Sequence, residues 1–315
     1  MKNSLVICVD DLRRDVCDRQ SKYFCMPYVA ELAKRSQCFR KAFTTSSWSP
    51  QVAYTVFKDC DPIFTPFAVE AEDTQKVFRH GLLSSARFRR REYLVGVSAN
   101  IWVSAQFGFD KFFDRWIDDR ANAFERCCKL LSDGLPEPWV VYLQIMHVHD
   151  RLLGKRAERN RDFQDFAYYR RCCHELDTLL GKELLPVLER KGLTDRTVVC
   201  LFSDHGESFP NVDSDGLKAF GHGQALSPIL LRVPLFICDP DREAANIDEY
   251  FSLRHLFQTV FACADGKEFN LPEPVISAFL AHKQVKHVKF DGRTCNGSYQ
   301  EFDLVRGDVR EFKID

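Results

Sequence analysis

The stretch Leu201–Glu207, L-F-S-D-H-G-E, closes a β-type run, Thr197–Phe202, with an acid, an imidazole, a glycine and a second acid. A buried strand delivering Asp204 and His205 together at its C-terminal end offers a hard anionic ligand and a borderline nitrogen ligand. That pair suits a divalent metal ion. Gly206 permits a sharp turn beside them. Gly221-His222-Gly223 sets another imidazole on a flexible turn. The competing reading is a polar strand-to-loop turn with no ligand. The first strand shifts the balance. Ser4–Val9 is apolar after its first residue, as in a strand buried on both faces, and it runs into Asp10-Asp11. Acids at that end of a parallel strand stand where open α/β sheets hold ligands. Adjacent strand residues point to opposite faces, so both reach one ion only if the chain turns there. An Asx turn or helix N-cap is the alternative for the pair.

Further strand ends carry polar groups. Cys38–Phe43 leads into Thr44-Thr45-Ser46-Ser47-Trp48-Ser49-Pro50, ahead of the mostly apolar Val52–Phe57. Pro50 fits the first turn of a helix, which puts Ser49 at the N-cap. There its hydroxyl either caps the helix or, beside a metal and the positive end of the helix dipole, acts as a nucleophile. Trp139–Ile145 ends in Met146-His147-Val148-His149-Asp150, and Tyr93–Ser98 is followed by Asn100. His147 and His149 are site candidates, with a core or capping role as the alternative. Lys218 lies on a loop, as a solvated cation or an anion contact.

The elements that must position these groups alternate. Strands and helices succeed one another over residues 1–240, which predicts a mostly parallel sheet with helices on both faces. Glu72–Arg87, Ala121–Leu131 and Ser252–Ala264 read as helices, and Arg161–Lys191 as one or two, broken or kinked at Pro186. Residues 241–315 are expected to complete the same domain with a helix and a small antiparallel sheet built on Val285–Phe290 and Tyr299–Leu304. With 315 residues, 45% of them apolar, the chain can bury a full core. A net charge of −1 argues against a nucleic-acid partner or a charged membrane surface, although Arg87 and Arg89–Arg91 form one basic run. No window is long and apolar enough to span a membrane. The 13 Cys are scattered without zinc-finger spacing, and no apolar leader follows Met1. Both point to reduced thiols and a cytoplasmic location. A homo-oligomer is compatible with all of this.

The order and spacing of these motifs resembles the sulfatase family of the alkaline phosphatase superfamily, over nearly the whole chain. Val9-Asp10-Asp11-Leu12-Arg13 is similar to its I-D-D-L-R, and Ser46–Pro62 aligns without gaps on S-S-W-T-P-P-S-H-A-S-L-L-T-G-L-Y-P. Gly108-Phe109-Asp110 with Phe113-Asp114 resembles G-F-D…F-D, and His149-Asp150 falls on P-H-D-P-Y. Ser203–Glu207 matches S-D-H-G-E in full, as Gly221–Gly223 and Arg232–Leu235 match G-H-G…R-V-P-L. Phe302-Asp303-Leu304 with Gly307-Asp308 is similar to its Y-D-L…D-P-x-E ending. The chain also departs from the pattern. Sulfatases proper carry C-x-P-S-R, whose Cys or Ser becomes a formylglycine. Here Ser49 is followed at once by Pro50, the Arg is absent, and Ala53 stands where some relatives have His. The family's His in the strand before P-H-D is Gln144.

The resemblance implies an alkaline-phosphatase-like α/β fold and one divalent ion (Mn, Zn, Ca or Mg) held by Asp10, Asp11, Asp204 and His205. Ser49 would act as an unmodified nucleophile through a covalent ester. His149 and His222 would bind oxyanions or protonate the leaving group, and Lys218, His147 and Asn100 would contact a small anionic ester. Phosphodiesters, phosphomonoesters or phosphonates are expected ahead of sulfate esters. The alternatives are a phosphoryl transferase using the same site and a fold-retaining binding or scaffold protein. Ile63–Gln75 and Asp150–Asp165 are expected to shape the pocket.

Overall fold

The structure is a computed structural model. It describes residues 1–60, 92–158, 166–213, 220–223 and 225–269, and four strands beyond. The strands β1 (Asn3–Val9), β2 (Gln37–Phe43), β3 (Tyr93–Ser98), β4 (Arg115–Asp118), β5 (Trp139–Ile145), β6 (Thr197–Ser203), β7 (Leu235–Cys238) and β8 (Ala245–Ser252) make one sheet. Their order is β4-β3-β5-β1-β6-β7-β2-β8. β1 runs parallel between β5 and β6. Among the described strands of this sheet only β7 is antiparallel to its neighbours. The expected mostly parallel sheet is therefore present, with one reversed strand.

Helices α1 (Arg14–Cys17), α2 (Pro27–Ala33), α3 (Ser49–Lys58), α4 (Ala123–Asp133), α5 (His147–Glu158), α6 (Phe166–Leu179), α7 (Leu185–Arg190), α8 (Pro228–Leu231) and α9 (Leu256–Ala264) flank the sheet. β1, β5 and β6 are buried along their whole length, which is why they read as unbroken apolar runs. Alternate residues feed two cores. Leu5, Ile7 and Val9 join the core containing α2, α4 and α6, whereas Val6 and Cys8 join that of α3 and α9. Register pairs Cys8 with Gln144 on β5 and with Phe202 on β6. By the two-residue period of a strand, Asp10, Gln144 and Asp204 then lie on the α3 side.

α6 ends at Leu179, and a π-type turn, Leu180–Leu184, leads into α7, whose first turn holds Pro186. The break falls one turn ahead of the proline, where its missing N–H is tolerated. The helix expected at Glu72–Arg87 and the segment Ile63–Gln75 lie outside the described residues, as do residues 159–165 of Asp150–Asp165. β8 escapes sequence reading because it is an edge strand exposed over most of its length, so no apolar alternation marks it. It lies beyond residue 240 and pairs in parallel with β2. The tail forms β9 (Val275–Leu280), β10 (Lys286–Asp291), β11 (Ser298–Asp303) and β12 (Val309–Lys313), all antiparallel. Among the described residues every cysteine is a free thiol, and no helix is long and apolar enough to cross a membrane.

Candidate active site

The C-terminal ends of β1, β5 and β6 and the N-terminus of α3 meet at one buried polar cluster. Asp10, Asp11, Asp204 and His205 are each at most 1% exposed. The Ser203 hydroxyl ties the two metal-type strand ends together. It lies 2.7 Å from the carbonyls of Val9 and His205 and accepts the Leu12 N–H at 3.0 Å.

Asp11 has φ +63°, the turn that two adjacent acids require if both are to face the site. Asp and Asn are among the few side chains that visit this left-handed region. The turn does not bring both acids to one position, however. One set of metal-ligand spacing is Asp10, Asp204 and His205, and a second is Asp11, His149 and His222. The expected four-residue ligand set is thus divided. Asp10 and Asp204 continue the α3-side rows, and Asp11, one residue on, turns away; His205, also one residue on from its neighbour, joins the first set, so parity alone does not divide them. Asp11 Oδ1 still lies 3.2 Å from His205 Nδ1, between the two sets, and 2.9 Å from His222 Nδ1.

Ser49 is not the N-cap. Trp48 is the N-cap, its backbone extended at φ −139°, ψ 120°, and its carbonyl accepts the Gln51 and Val52 N–H groups. Ser49 is the first helical residue, and its hydroxyl caps nothing. Instead Oγ donates to Asp10 Oδ2 at 3.0 Å and lies 3.2 Å from His205 Nε2. Three of the neighbouring hydroxyls have structural partners: Ser46 donates to Gln51 Oε1, Ser47 to the Ala225 carbonyl, and Thr45 pairs with Thr55. Trp48 and Trp102, with ring centroids 6.3 Å apart, border the Ser49 side.

The remaining candidates separate. Asn100 joins the site, but its Nδ2 donates to Asp10 Oδ2 at 2.9 Å, so it braces a carboxylate. The His149 and His222 rings lie tilted with centroids 5.5 Å apart, and the His222 and His205 rings tilted at 4.3 Å. His147 is not part of the cluster. Its Nε2 faces Glu175 at 3.9 Å, because α5 begins at His147 and carries residues 147 and 149 to different sides. Lys218 lies outside the described residues. Two members were missed. Glu207 Oε2 is 3.1 Å from His222 Nδ1; its place at the end of the S-D-H-G-E stretch was the available signal. Gln144 bridges Asp10 and Asp204.

Gly206 is needed for a reason other than backbone turning, since it is not among the glycines with positive φ. A Cβ there would meet the Ile229 carbonyl oxygen at 2.1 Å, and the Gly206 N–H donates to the Leu230 carbonyl at 2.8 Å. Gly206→Ala is therefore expected to lower stability by about 1–3 kcal/mol, the usual cost of overpacking. It should also weaken metal uptake, because the ligand strand must shift. Thermal melts with and without added metal check this, and an unchanged melting temperature would refute it.

The electrostatics call for a cation. Asp10 Oδ1 and Asp11 Oδ2 are buried without a hydrogen bond, which is costly unless something positive completes them, whereas Asp11 Oδ1 meets the imidazoles of His205 and His222. Burial, reinforced by the Asp10 charge, pushes Asp204 up to about 7. Burial and the Asp11 charge do the same to Glu207, also to about 7. His205 feels the opposite balance: burial lowers it, but the Asp204 and Asp11 carboxylates outweigh this and hold it at about 9. His149 reaches about 9 because the Asp11 charge and its Asp150 hydrogen bond outweigh its burial. Buried carboxylates beside imidazoles, with orphaned acceptor oxygens, fit a divalent ion of the zinc, manganese or calcium type.

Comparison with known proteins finds the sulfatase family model matching residues 2–266. No curated protein matches the chain. Among solved structures, one described as a 2-O GAG sulfatase is 14% identical with a TM-score of 0.73, covering 99% of this chain and 85% of that one. An alkaline phosphatase superfamily protein from Vibrio parahaemolyticus is 13% identical with a TM-score of 0.59, covering 100% and 82%. The C-terminal periplasmic domain of EcEptC from Escherichia coli, solved as a zinc complex, is 13% identical with a TM-score of 0.60, covering 87% and 89%. At these identities the likeness is one of fold.

Proposed function

The chain belongs to the sulfatase family, and from that premise we propose that it is a metal-dependent ester hydrolase with Ser49 as its nucleophile. The observation that carries this reading is the Ser49 hydroxyl. It is released from capping, stands in the first turn of a ten-residue helix and is held 3.0 Å from Asp10 Oδ2 and 3.2 Å from His205 Nε2.

Asp10, Asp204 and His205 would hold the ion, with Asp11 alongside. When bound, the ion lowers the hydroxyl pKa and screens the anionic ester from the nucleophile. Asp10 orients Oγ, and the positive end of α3 favours its ionised form. Ser49 Oγ passes its proton to Asp10 Oδ2 and bonds to phosphorus or sulfur as the bond to the departing alkoxide breaks, and that oxygen takes a proton from His222 or His149. Both rings are kept cationic by nearby acids. In the second half water gives a proton to the imidazole just made neutral and attacks the seryl ester, releasing the anion as Asp10 returns its proton to Ser49 Oγ. With Ser49 outside the C-x-P-S-R pattern in which a Cys or Ser becomes formylglycine, an unmodified serine favours phosphate esters and phosphonates over sulfate esters. Assays of aryl phosphate, aryl phosphodiester and aryl sulfate with Mn²⁺, Zn²⁺, Ca²⁺ or Mg²⁺ test this. Turnover of the sulfate alone would refute the preference.

The second ligand set favours a second reading, a two-ion site in which His149 and His222 would hold an ion and would no longer be the proton donors. Asp11, His149 and His222 have ligand spacing of their own. The expected result is two metal equivalents per chain, falling to one in His149→Ala, by elemental analysis after dialysis. One equivalent in both proteins would leave the single-ion reading.

A further inference from the structure

Gln144 is fully buried, and every polar atom of its amide has a partner. Its Nε2 donates to Asp10 Oδ2 at 3.2 Å and to Asp204 Oδ2 at 3.3 Å. Its Oε1 accepts the Tyr142 hydroxyl at 2.6 Å. An amide oxygen only accepts, so the tyrosine must donate, which fixes the nitrogen toward the two carboxylates. Tyr142 and Gln144 are two apart on β5 and share its α3-facing side. Asp10 is next to β5 on β1, and Asp204 follows β6 on the far side of β1.

One amide therefore spans acids delivered by two different strands. Asp10 Oδ2 is saturated by Gln144, Asn100 and Ser49, while its Oδ1 is buried and bare. The donors decide which oxygen is left for an ion.

We propose that Tyr142 and Gln144 form a neutral positioning relay that turns the bare oxygen of Asp10, and the Asp204 carboxylate with it, toward the metal. Gln144 thus has no donor left for a substrate anion, and its contribution is to metal affinity. The relay adds no charge to a site already holding three buried aspartates. It rests on the reading of this cluster as a metal centre.

The test is metal affinity, measured by competition with a chromophoric chelator on the full chain. The proteins are wild type, Gln144→Met, Tyr142→Phe and the double variant. Outer-sphere partners of metal ligands are typically worth 10- to 100-fold in affinity. Gln144→Met is expected to weaken binding by about that factor, and Tyr142→Phe by about tenfold. The relay predicts that the double variant is no weaker than Gln144→Met, because the hydroxyl, which also meets the Cys8 thiol, reaches the two carboxylates through the amide.

Tyr142→Phe keeps its ring among Phe57, Phe113 and Phe257, so it folds if the methionine variant does not. Core packing alone would lower the melting temperature additively and leave affinity in place. Unchanged affinity, or additive losses, overturns the relay. A raised KM for the ester with metal affinity intact also overturns it, by placing Gln144 on the substrate. A wild-type chain that takes up no divalent ion sinks both readings, whereas one that binds ions without hydrolysing any ester sinks only the hydrolase.

Discussion

Ser49→Ala is expected to lower turnover of the best ester substrate by about 10³- to 10⁶-fold, the range seen when a hydroxyl nucleophile is removed from a working site. Metal content should not fall with it. Ser49 is a hydrogen-bond donor to Asp10 Oδ2, which keeps two other donors, Asn100 and Gln144. The helix should also survive, because Trp48 rather than Ser49 begins its hydrogen-bond ladder. Single-turnover mass spectrometry adds a second readout: a phosphoseryl adduct on the wild type, absent from the variant. Activity retained within a few-fold would mean that water attacks directly and that Ser49 merely braces Asp10.

Metal binding is expected to tighten steeply with pH. In the folded, metal-free chain Asp204 keeps its proton up to about 7 and His205 up to about 9. Unfolded, they release protons near 4 and 6.5. The sign differs for the two. Asp204 with its raised value costs stability as pH climbs from about 4 through 7, when the folded state must give up a proton it favours. His205 contributes stability that is full below about 6.5 and is lost as pH rises through about 9.

An ion needs the carboxylate ionised and the imidazole neutral, so uptake expels whatever protons remain. Below about pH 7 two protons leave, and the apparent Kd should fall about 100-fold per pH unit. Between about 7 and 9 only the imidazole proton remains, and the slope should drop to about tenfold. Calorimetry in buffers of different ionisation enthalpy counts the protons directly. A Kd flat across this window would falsify the ligand assignment.

The parts of the site that sequence reading reached are those carried by local signals. Asp10, Asp204 and His205 stand at the ends of buried strands, where apolar runs stop at an acid, and Pro50 marks the start of α3. What it did not reach depends on tertiary geometry. The division into two ligand sets depends on how the chain leaves β1 and β6 and on the left-handed conformation of Asp11. His147 and His149 are indistinguishable by spacing until α5 turns one toward Glu175 and the other toward His222. Gln144 reads as a lost histidine, yet in the fold it is a fully satisfied bridge. Gly206 reads as a turn residue, but the Ile229 carbonyl is what excludes a side chain. β8 is invisible because an exposed edge strand carries no apolar period.

The left-handed backbone at Asp11 makes charge and shape separately adjustable at the divide between the two ligand sets. Asparagine tolerates that conformation about as well as aspartate, so Asp11→Asn removes a negative charge while keeping the turn. Asp11→Gly keeps the turn and removes the side chain. A β-branched residue such as valine would open the turn and separate Asp10 from its neighbours before any ligand chemistry changed. For an engineer converting the site between one ion and two, position 11 is a dial with few usable settings, and asparagine is the one that reads out charge alone.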